Sequence, residues 1–337
     1  LLDAHRRAGG NVNEWFVDTL GKDVPQATLT RDCPYRITSA FPFAGDVLFF
    51  PVPIPAQAFL SNKLLKERRK EVKRIRFISE GILRKMLAGE PLDGWFFPEE
   101  NDKTDPQKGV ALQGGALWLT ADEVARLPRA YHLAVGKRHA LHRQLVYKEA
   151  TTPRVTVDRI NAASTIFHAG RVTFAAKCGL WLGLTGKTPP EFERALCTLS
   201  EDGLGGERSA GYGAFSYTAS QPLSLPDPQP GGAALLFSRY HPRAEETPAL
   251  QHQGAGYELV PVAGWLRSWE GAAQRRRRLW LVREGSVVYP PDMGLWGDVV
   301  DVRPDYENPA GDLPHPVWRY GLALAVGWPY QTQPAGG

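Results

Sequence analysis

The chain has 337 residues, a formal net charge of +4, 34 glycines, 28 prolines and three cysteines. That length is generous for one domain and comfortable for two, and so much glycine and proline argues against a helical bundle and for short strands with many turns. No apolar run is long enough to span a membrane, no secretory segment opens the chain, and Cys33, Cys178 and Cys197 form no CxxC pair, so a reducing cytoplasm is expected, without a disulfide framework or thiolate zinc site.

In chain order, Leu1 to Arg7 reads as the tail of a helix, with an opening strand expected ahead of it and absent from the chain. Residues 37–52 read as a strand pair turning around Phe43-Ala44-Gly45-Asp46 and closed by Pro51, Pro53 and Pro55. From Lys63 to Lys85 ten Lys or Arg stand against three Glu. A short strand is predicted at 74–78, where alternation puts Arg74 and Arg76 on one face, beside Lys73. That suits a phosphate track or a subunit interface equally. A helix near 80–87 follows, with Gly89 placed to end it. Residues 90–150, rich in turns and charge, read as an insertion rather than core.

The clearest pattern is at 171–184. Val172, Phe174, Ala176, Cys178, Leu180, Leu182 and Leu184 alternate strictly, which predicts one half-buried strand. Thr188-Pro189-Pro190-Glu191 then reads as a capping box with proline at the first helical position. Phe192, Ala195, Leu196 and Leu199 fall on one helical stripe that Gly203 ends. After a glycine-rich loop, 212–217 alternates as a further strand. Strand, helix, glycine loop and strand make the second half of a ferredoxin-like unit. The four prolines and two glycines of 221–232 mark a boundary. Beyond it come a strand at 233–238, a strand pair over 278–289 turning at Glu284-Gly285, and residues 320–328. The expected fold is therefore α+β: an N-terminal ferredoxin-like (RRM-like) domain over 1–220, with the insertion around 90–150, and a smaller ferredoxin-like domain over 233–337.

The loop Gly203–Gly213 holds five glycines in eleven residues. Glycine lets the backbone approach a phosphate chain closely and turn consecutive N–H donors toward its oxygens. Arg208 and Ser209 add a guanidinium fork and a hydroxyl. The plain alternative is a helix cap running into a bulged strand. A dinucleotide fingerprint fails, because Arg208 stands where the third glycine belongs, and a P-loop fails on Trp181. No nucleotide cofactor or metal is expected. Together with the run at 63–85, the four consecutive arginines Arg275, Arg276, Arg277 and Arg278 read as a nucleic-acid footprint. His132, His139 and His142 raise a catalytic alternative, with histidine as general acid or base; His139-x-x-His142 lacks a third metal ligand at local spacing.

The tract GLGGERSAGYGAF (203–215) resembles the glycine-rich loop of RAMP-superfamily CRISPR proteins. AFPFAGDVLFFPVP (40–53), KRIRFIS (73–79), PRVTVDRINAAS (153–164), LVREGSVV (281–288) and HPVWRYGLAL (315–324), in that order, resemble the RAMP subunit that caps the guide RNA in type III-A CRISPR (Csm) effector complexes, the fourth-named Csm family. The likeness spans nearly the whole chain, although 90–150 matches nothing. It implies a non-catalytic RNA-binding subunit of an antiviral ribonucleoprotein that holds the 5′ tag of the guide. Its neighbours would be the large polymerase-like subunit and the backbone RAMP subunit, and an inserted hairpin, the thumb, would interrupt guide–target pairing. The RNA-contact set so implied is Gly203, Gly205, Gly206, Arg208, Ser209, Gly211 and Tyr212 in the loop, with Arg159, Ser164, Lys73, Arg74, Arg76 and the Arg275–Arg278 run. The alternative within the superfamily is a guide-processing endoribonuclease.

Overall fold

The computed structural model describes residues 1–10, 33, 35–56, 59–98, 108–132, 138–157, 164–266, 274–290, 296–304 and 316–329. The fold is mixed α+β, with many short strands and few helices. Helix α1 (Leu2–Arg7) is followed by strands β1 (Tyr35–Ile37), β2 (Phe41–Ala44) and β3 (Val47–Pro51). The β2–β3 turn is at Gly45-Asp46, and Gly45 has φ +59° there. A Cβ on Gly45 would collide with the Arg126 carbonyl, so the turn is tied to glycine twice over.

Two short helices, α2 (Asn62–Glu67) and α3 (Arg69–Val72), carry much of the basic run. Strand β4 (Phe77–Ser79) then runs directly into α4 (Glu80–Leu87), whose Ile82 N–H donates to Ser79 Oγ as a cap. The strand is shorter and later than expected. Lys73 and Arg74 are turn residues and Arg76 precedes β4, so strand alternation does not place Arg74 and Arg76 together. Gly89, at φ +74°, does follow the helix end.

Strands β5 (Gly109–Leu112) and β6 (Leu117–Thr120) complete a six-stranded sheet of order β5-β6-β4-β3-β2-β9, where β9 is Cys178–Trp181. All pairs are antiparallel except β4–β6, which α4 links by a crossover. Residues 90–150 are therefore not an insertion outside the core. Val110, Leu112, Leu117 and Leu119 bury one face of the sheet with Ala44, Val47 and Phe49, under Leu127, Tyr131 of α5 (Arg129–His132) and Leu141 of α6 (Arg138–His142). Phe50, Ile78 and Trp118, one residue out of phase, bury the other face with Ile82, Leu83 and Met86 of α4. A sheet covered on both sides loses the alternating signature of a half-buried one, which is why this segment looked irregular as sequence.

The run 171–184 is three strands rather than one. A long hairpin pairs β7 (Tyr147–Val157) with β8 (Ser164–Phe174). A turn at Ala176-Lys177, with Lys177 at φ +62°, leads into β9, and a break at Gly183 leads into β10 (Leu184–Gly186), which pairs with β1. Val172, Leu180, Leu182 and Leu184, expected to face a core, are exposed. Helix α7 (Glu191–Asp202) buries Phe192 and Ala195 as expected, but Pro190 is its N-cap with no side-chain bond, so Thr188 does not close a capping box. Residues 212–217 form no strand.

Past an irregular 221–232, β11 (Ala233–Leu236) is followed by the short helix α8 (Pro248–Gln251) and strands β12 (Leu259–Val262), β13 (Trp265–Leu266), β14 (Gln274–Arg275), β15 (Leu279–Val282), β16 (Val287–Val288), β17 (Gly297–Asp301), β18 (Trp318–Leu322) and β19 (Ala325–Trp328). The 278–289 segment turns at Glu284-Gly285, yet β15 pairs with β12 and β16 with β11, so it is not a hairpin. Leu235, Phe237, Val287, Val326 and Trp328 lie in the same core cluster as Phe41, Phe50 and Ile78. The regions before and after 221–232 therefore share one core.

Candidate nucleic-acid interface

The glycine loop is closed at its stem and open at its tip. Gly203 ends α7 at φ +84°, and Leu204 N–H donates to Gly213 O (2.9 Å). A Cβ on Gly203 would stand 2.6 Å from Tyr212 O, and one on Gly213, at φ +83°, would overlap Leu204 O. These two glycines are what lets the two segments of the stem come together. Gly205, Gly206 and Gly211 have nothing within 4 Å of an added Cβ, so their backbone faces open space. Between them, Arg208–Ala210 makes one 3₁₀ turn that Gly211 ends in the left-handed region.

Ion pairs brace the loop from the inside. Arg7 meets Asp202 at 2.9 Å and Asp3 at 2.8 Å, and Arg208 approaches Asp3 at 3.9 Å. Burial opposes the Asp3 charge, but Arg7, Arg6 and Arg208 outweigh it and hold the carboxyl below the usual range. Arg208 thus has a local partner, at a separation too long to occupy its fork. Ser209 lies in the 3₁₀ turn.

The loop meets the β7–β8 hairpin through Tyr212. Arg154 donates to Tyr212 Oη (2.5 Å) and stacks 4.8 Å from the ring centroid, while Arg171 lies 5.5 Å from it. Register places both arginines on one hairpin face, since Arg154 faces Phe167 and Ala150 faces Arg171. On that face a hollow of about 370 Å³ is lined by Lys148, Ala150, Thr152, Arg171 and Thr173, with Tyr147 and Phe174 at its edge on the hairpin base. The opposite face presents Val155, Val157, Ile166 and Val172, with Ile166 66% exposed. Eleven paired rows give a ribbon about 35 Å long. It is too thin to hold a core of its own.

Lys73, Arg74 and Arg76 are exposed beside the hairpin base. The charge of Arg74 reaches His142, that of Arg76 reaches Tyr147, and Arg76 N–H donates to Ala116 O (2.8 Å). Ser164 is exposed at the far end of the hairpin, opposite Val157, while Arg159 lies outside the described residues. Tyr212, the hairpin and the 73–76 cations thus form one basic region. Arg275–Arg278 belong to another part of the fold. Arg275 is on β14 with its guanidinium 4.9 Å from the Trp265 ring centroid, and Arg277 donates to Asp301 O (2.6 Å). Arg154 and Arg171 went unnoticed as sequence; their shared face becomes legible only once the hairpin register is known.

His132 is exposed at the end of a helical turn, Arg129–His132, and the His139 side chain lies outside the described residues. Burial, followed by Arg74 and Arg143, pushes His142 below its ordinary range. Among the described residues no cluster of three or more His, Cys, Asp or Glu could hold a metal ion, and no helix is long and apolar enough to cross a membrane.

Residues 229–328 match the family described as the CRISPR Csm4 C-terminal domain. The chain is 31% identical over 169 residues to the Csm4 protein of Mycobacterium tuberculosis (strain CDC 1551 / Oshkosh), an alignment covering 48% of this chain and 51% of that protein. It therefore spans about half the length of that relative. A Csm4 protein of Thermococcus onnurineus (strain NA1) is 22% identical over 87% of this chain and 79% of its own length. Among solved structures, a crystal structure of a Csm3–Csm4 subcomplex in the type III-A CRISPR-Cas interference complex superposes with a TM-score of 0.61 at 14% identity, covering 97% of this chain and 90% of that one. Its architecture is the same mixed α+β arrangement. In sequence the chain is thus similar to Csm4 proteins, and in fold to the Csm3–Csm4 subcomplex structure.

Proposed function

We propose that the chain is a non-catalytic RNA-binding subunit of a type III-A CRISPR effector complex, and that its glycine loop and β7–β8 hairpin hold the repeat-derived 5′ tag of the guide RNA. The observation that carries this is the loop tip: Gly205, Gly206 and Gly211 face open space beside a tyrosine held between two hairpin arginines. Backbone donors with room for a phosphate chain, next to guanidinium forks, bind RNA by shape and charge rather than by sequence. On this reading the chain comprises two ferredoxin-like domains, over 1–220 and 233–337, packed on one another through the shared core. The hairpin is the thumb, and its apolar face (Val155, Val157, Ile166, Val172) is the side that meets the guide–target duplex. The large polymerase-like subunit and the backbone RAMP subunit are the protein neighbours, in the cytoplasm. Sequencing the RNA that co-purifies with the chain from its own host tests the reading. A population sharing one short 5′ tag is expected; RNA with random 5′ ends would overturn it.

A further inference from the structure

A second group of cations gathers away from the glycine loop. Strand β18 carries Arg319 opposite Val300 of β17. On one side of this pair runs the segment after β11, where His241 N–H donates to Gly321 O (2.9 Å) and Ser238 Oγ to Leu322 O (2.9 Å), bringing Arg239 alongside. On the other side, Arg277 N–H donates to Val302 O (3.0 Å) and Arg276 N–H to Gly264 O (2.9 Å). Arg239 and Arg276 thus flank the strand pair that carries Arg319.

Their donors are largely unused. Arg276 Nε and Arg319 Nε are enclosed and have no hydrogen-bond partner, and no carboxylate among the described residues pairs with either guanidinium. Arg239 spends one bond on Glu284 (3.3 Å). Burial, then the charges of Arg239 and Arg276, push Arg319 below its ordinary range, so the three act on one another. Nearby, Asp298 acts on His241, whose enclosed Nδ1 also lacks a partner. Desolvated like charges with idle forks are unfavourable until an anion neutralises them. Beside them a cleft of about 240 Å³ is lined by Ala263, Gly264, Trp265, Arg275, Arg276 and Arg278, with Trp265 55% exposed at its edge. Guanidinium forks next to an exposed indole suit a phosphate followed by a base better than a protein carboxylate.

We propose that Arg239, Arg276 and Arg319 form a socket for a backbone phosphate of single-stranded RNA, with Trp265 at its rim for the adjoining base. The proposal rests on the RNA-binding reading above and adds an anchor separate from the glycine loop. The test measures anisotropy of a fluorescein-labelled single-stranded RNA against the full chain over a salt series. Arg319→Gln should weaken binding at low salt about tenfold and flatten the slope of log K against log salt by about 0.7, the value of one single-strand phosphate contact. Arg276→Gln should do the same, and Arg319→Lys should restore the slope without the full affinity. Arg319→Gln should melt no earlier than the parent, since it relieves a repelled charge; if it fails to fold, Arg276→Gln supplies the reading. An unchanged slope in a folded variant overturns the socket, as does an unchanged slope accompanied by lost binding of a neighbouring protein subunit. Gly206→Val, measured alongside, separates the two sites. If it alone loses RNA, the socket fails and the loop stands, whereas if the arginine variants alone lose RNA, the loop fails and the socket stands.

Discussion

Glycine serves two purposes within one loop, and substitution separates them. Gly213 sits at φ +83° with no room for a Cβ beside Leu204 O, so it is a requirement of the fold. Gly206 has no left-handed φ and nothing within 4 Å of an added Cβ, so the fold tolerates a side chain there. Gly213→Ala is therefore expected to lower stability by about 1–3 kcal/mol, read from the urea midpoint. Gly206→Val should leave that midpoint within about 0.5 kcal/mol while guide RNA is lost from the assembled complex. Retention of guide by the valine variant would remove the loop tip from the binding surface. Tyr212 illustrates the same division. Two guanidiniums already lie over its ring, so on the proposed reading it acts through the arginines it holds in place.

Among the elements, the β4–α4 junction depends on one buried carboxylate. Glu123, in the 3₁₀ turn Asp122–Arg126, accepts bonds from Ser79 Oγ, Gly81 N–H (2.9 Å), Thr120 N–H (2.9 Å) and Thr120 Oγ1 (2.8 Å). It joins the end of β6 to the start of α4, across the parallel β4–β6 pair. Removing the acceptor leaves four donors stranded in the interior, so Glu123→Ala should cost about 3 kcal/mol. The salt dependence of RNA binding should be unchanged. Chemical denaturation measures the first and anisotropy the second, and a loss below about 0.5 kcal/mol would show that water or a neighbouring group replaces the carboxylate. The hairpin behaves oppositely. It has almost no buried side chain beyond its base, and its two faces differ, one basic and one apolar. Such a ribbon gains its definition from what it touches.

On the proposed reading, the whole molecule grips RNA rather than cutting it. His132 and His142 share no site, and the buried carboxylates Glu123 and Glu246 are committed to structural bonds; Glu246 accepts from Tyr240 Oη (3.0 Å), Arg243 N–H (2.9 Å) and Gly297 N–H (3.0 Å). The purified chain is expected to leave repeat RNA intact in EDTA over hours. Replacing His132, His139 and His142 together with Ala should keep target cleavage by the assembled complex within a few-fold, because loss of a general acid or base costs about 10²–10⁴. Cutting at one defined phosphodiester, abolished by the triple substitution, would make the chain a processing nuclease. Complex mass measured in parallel separates lost chemistry from lost assembly.

Local rules sufficed where an element carries its own signal. The β2–β3 turn at Gly45-Asp46, the α4 helix with Gly89 behind it, the apolar stripe of α7 and the glycine loop were all legible residue by residue, because caps, turns and periodicity act over a few positions. The similarity to Csm4 proteins, too, was legible from ordered sequence tracts. The tertiary structure decided what depends on long-range pairing. It put residues 109–120 at one edge of a six-stranded sheet buried on both faces and divided 171–184 among three sheets. It sent β15 and β16 to different partners and left Leu180, Leu182 and Leu184 exposed where alternation had promised a core. It also brought Arg154 to Tyr212, and Arg239 to Arg319 from 80 positions away in sequence. Alternation states only that two faces of a strand differ; which face is covered, and which cations become neighbours, is set by the strands that pack beside it.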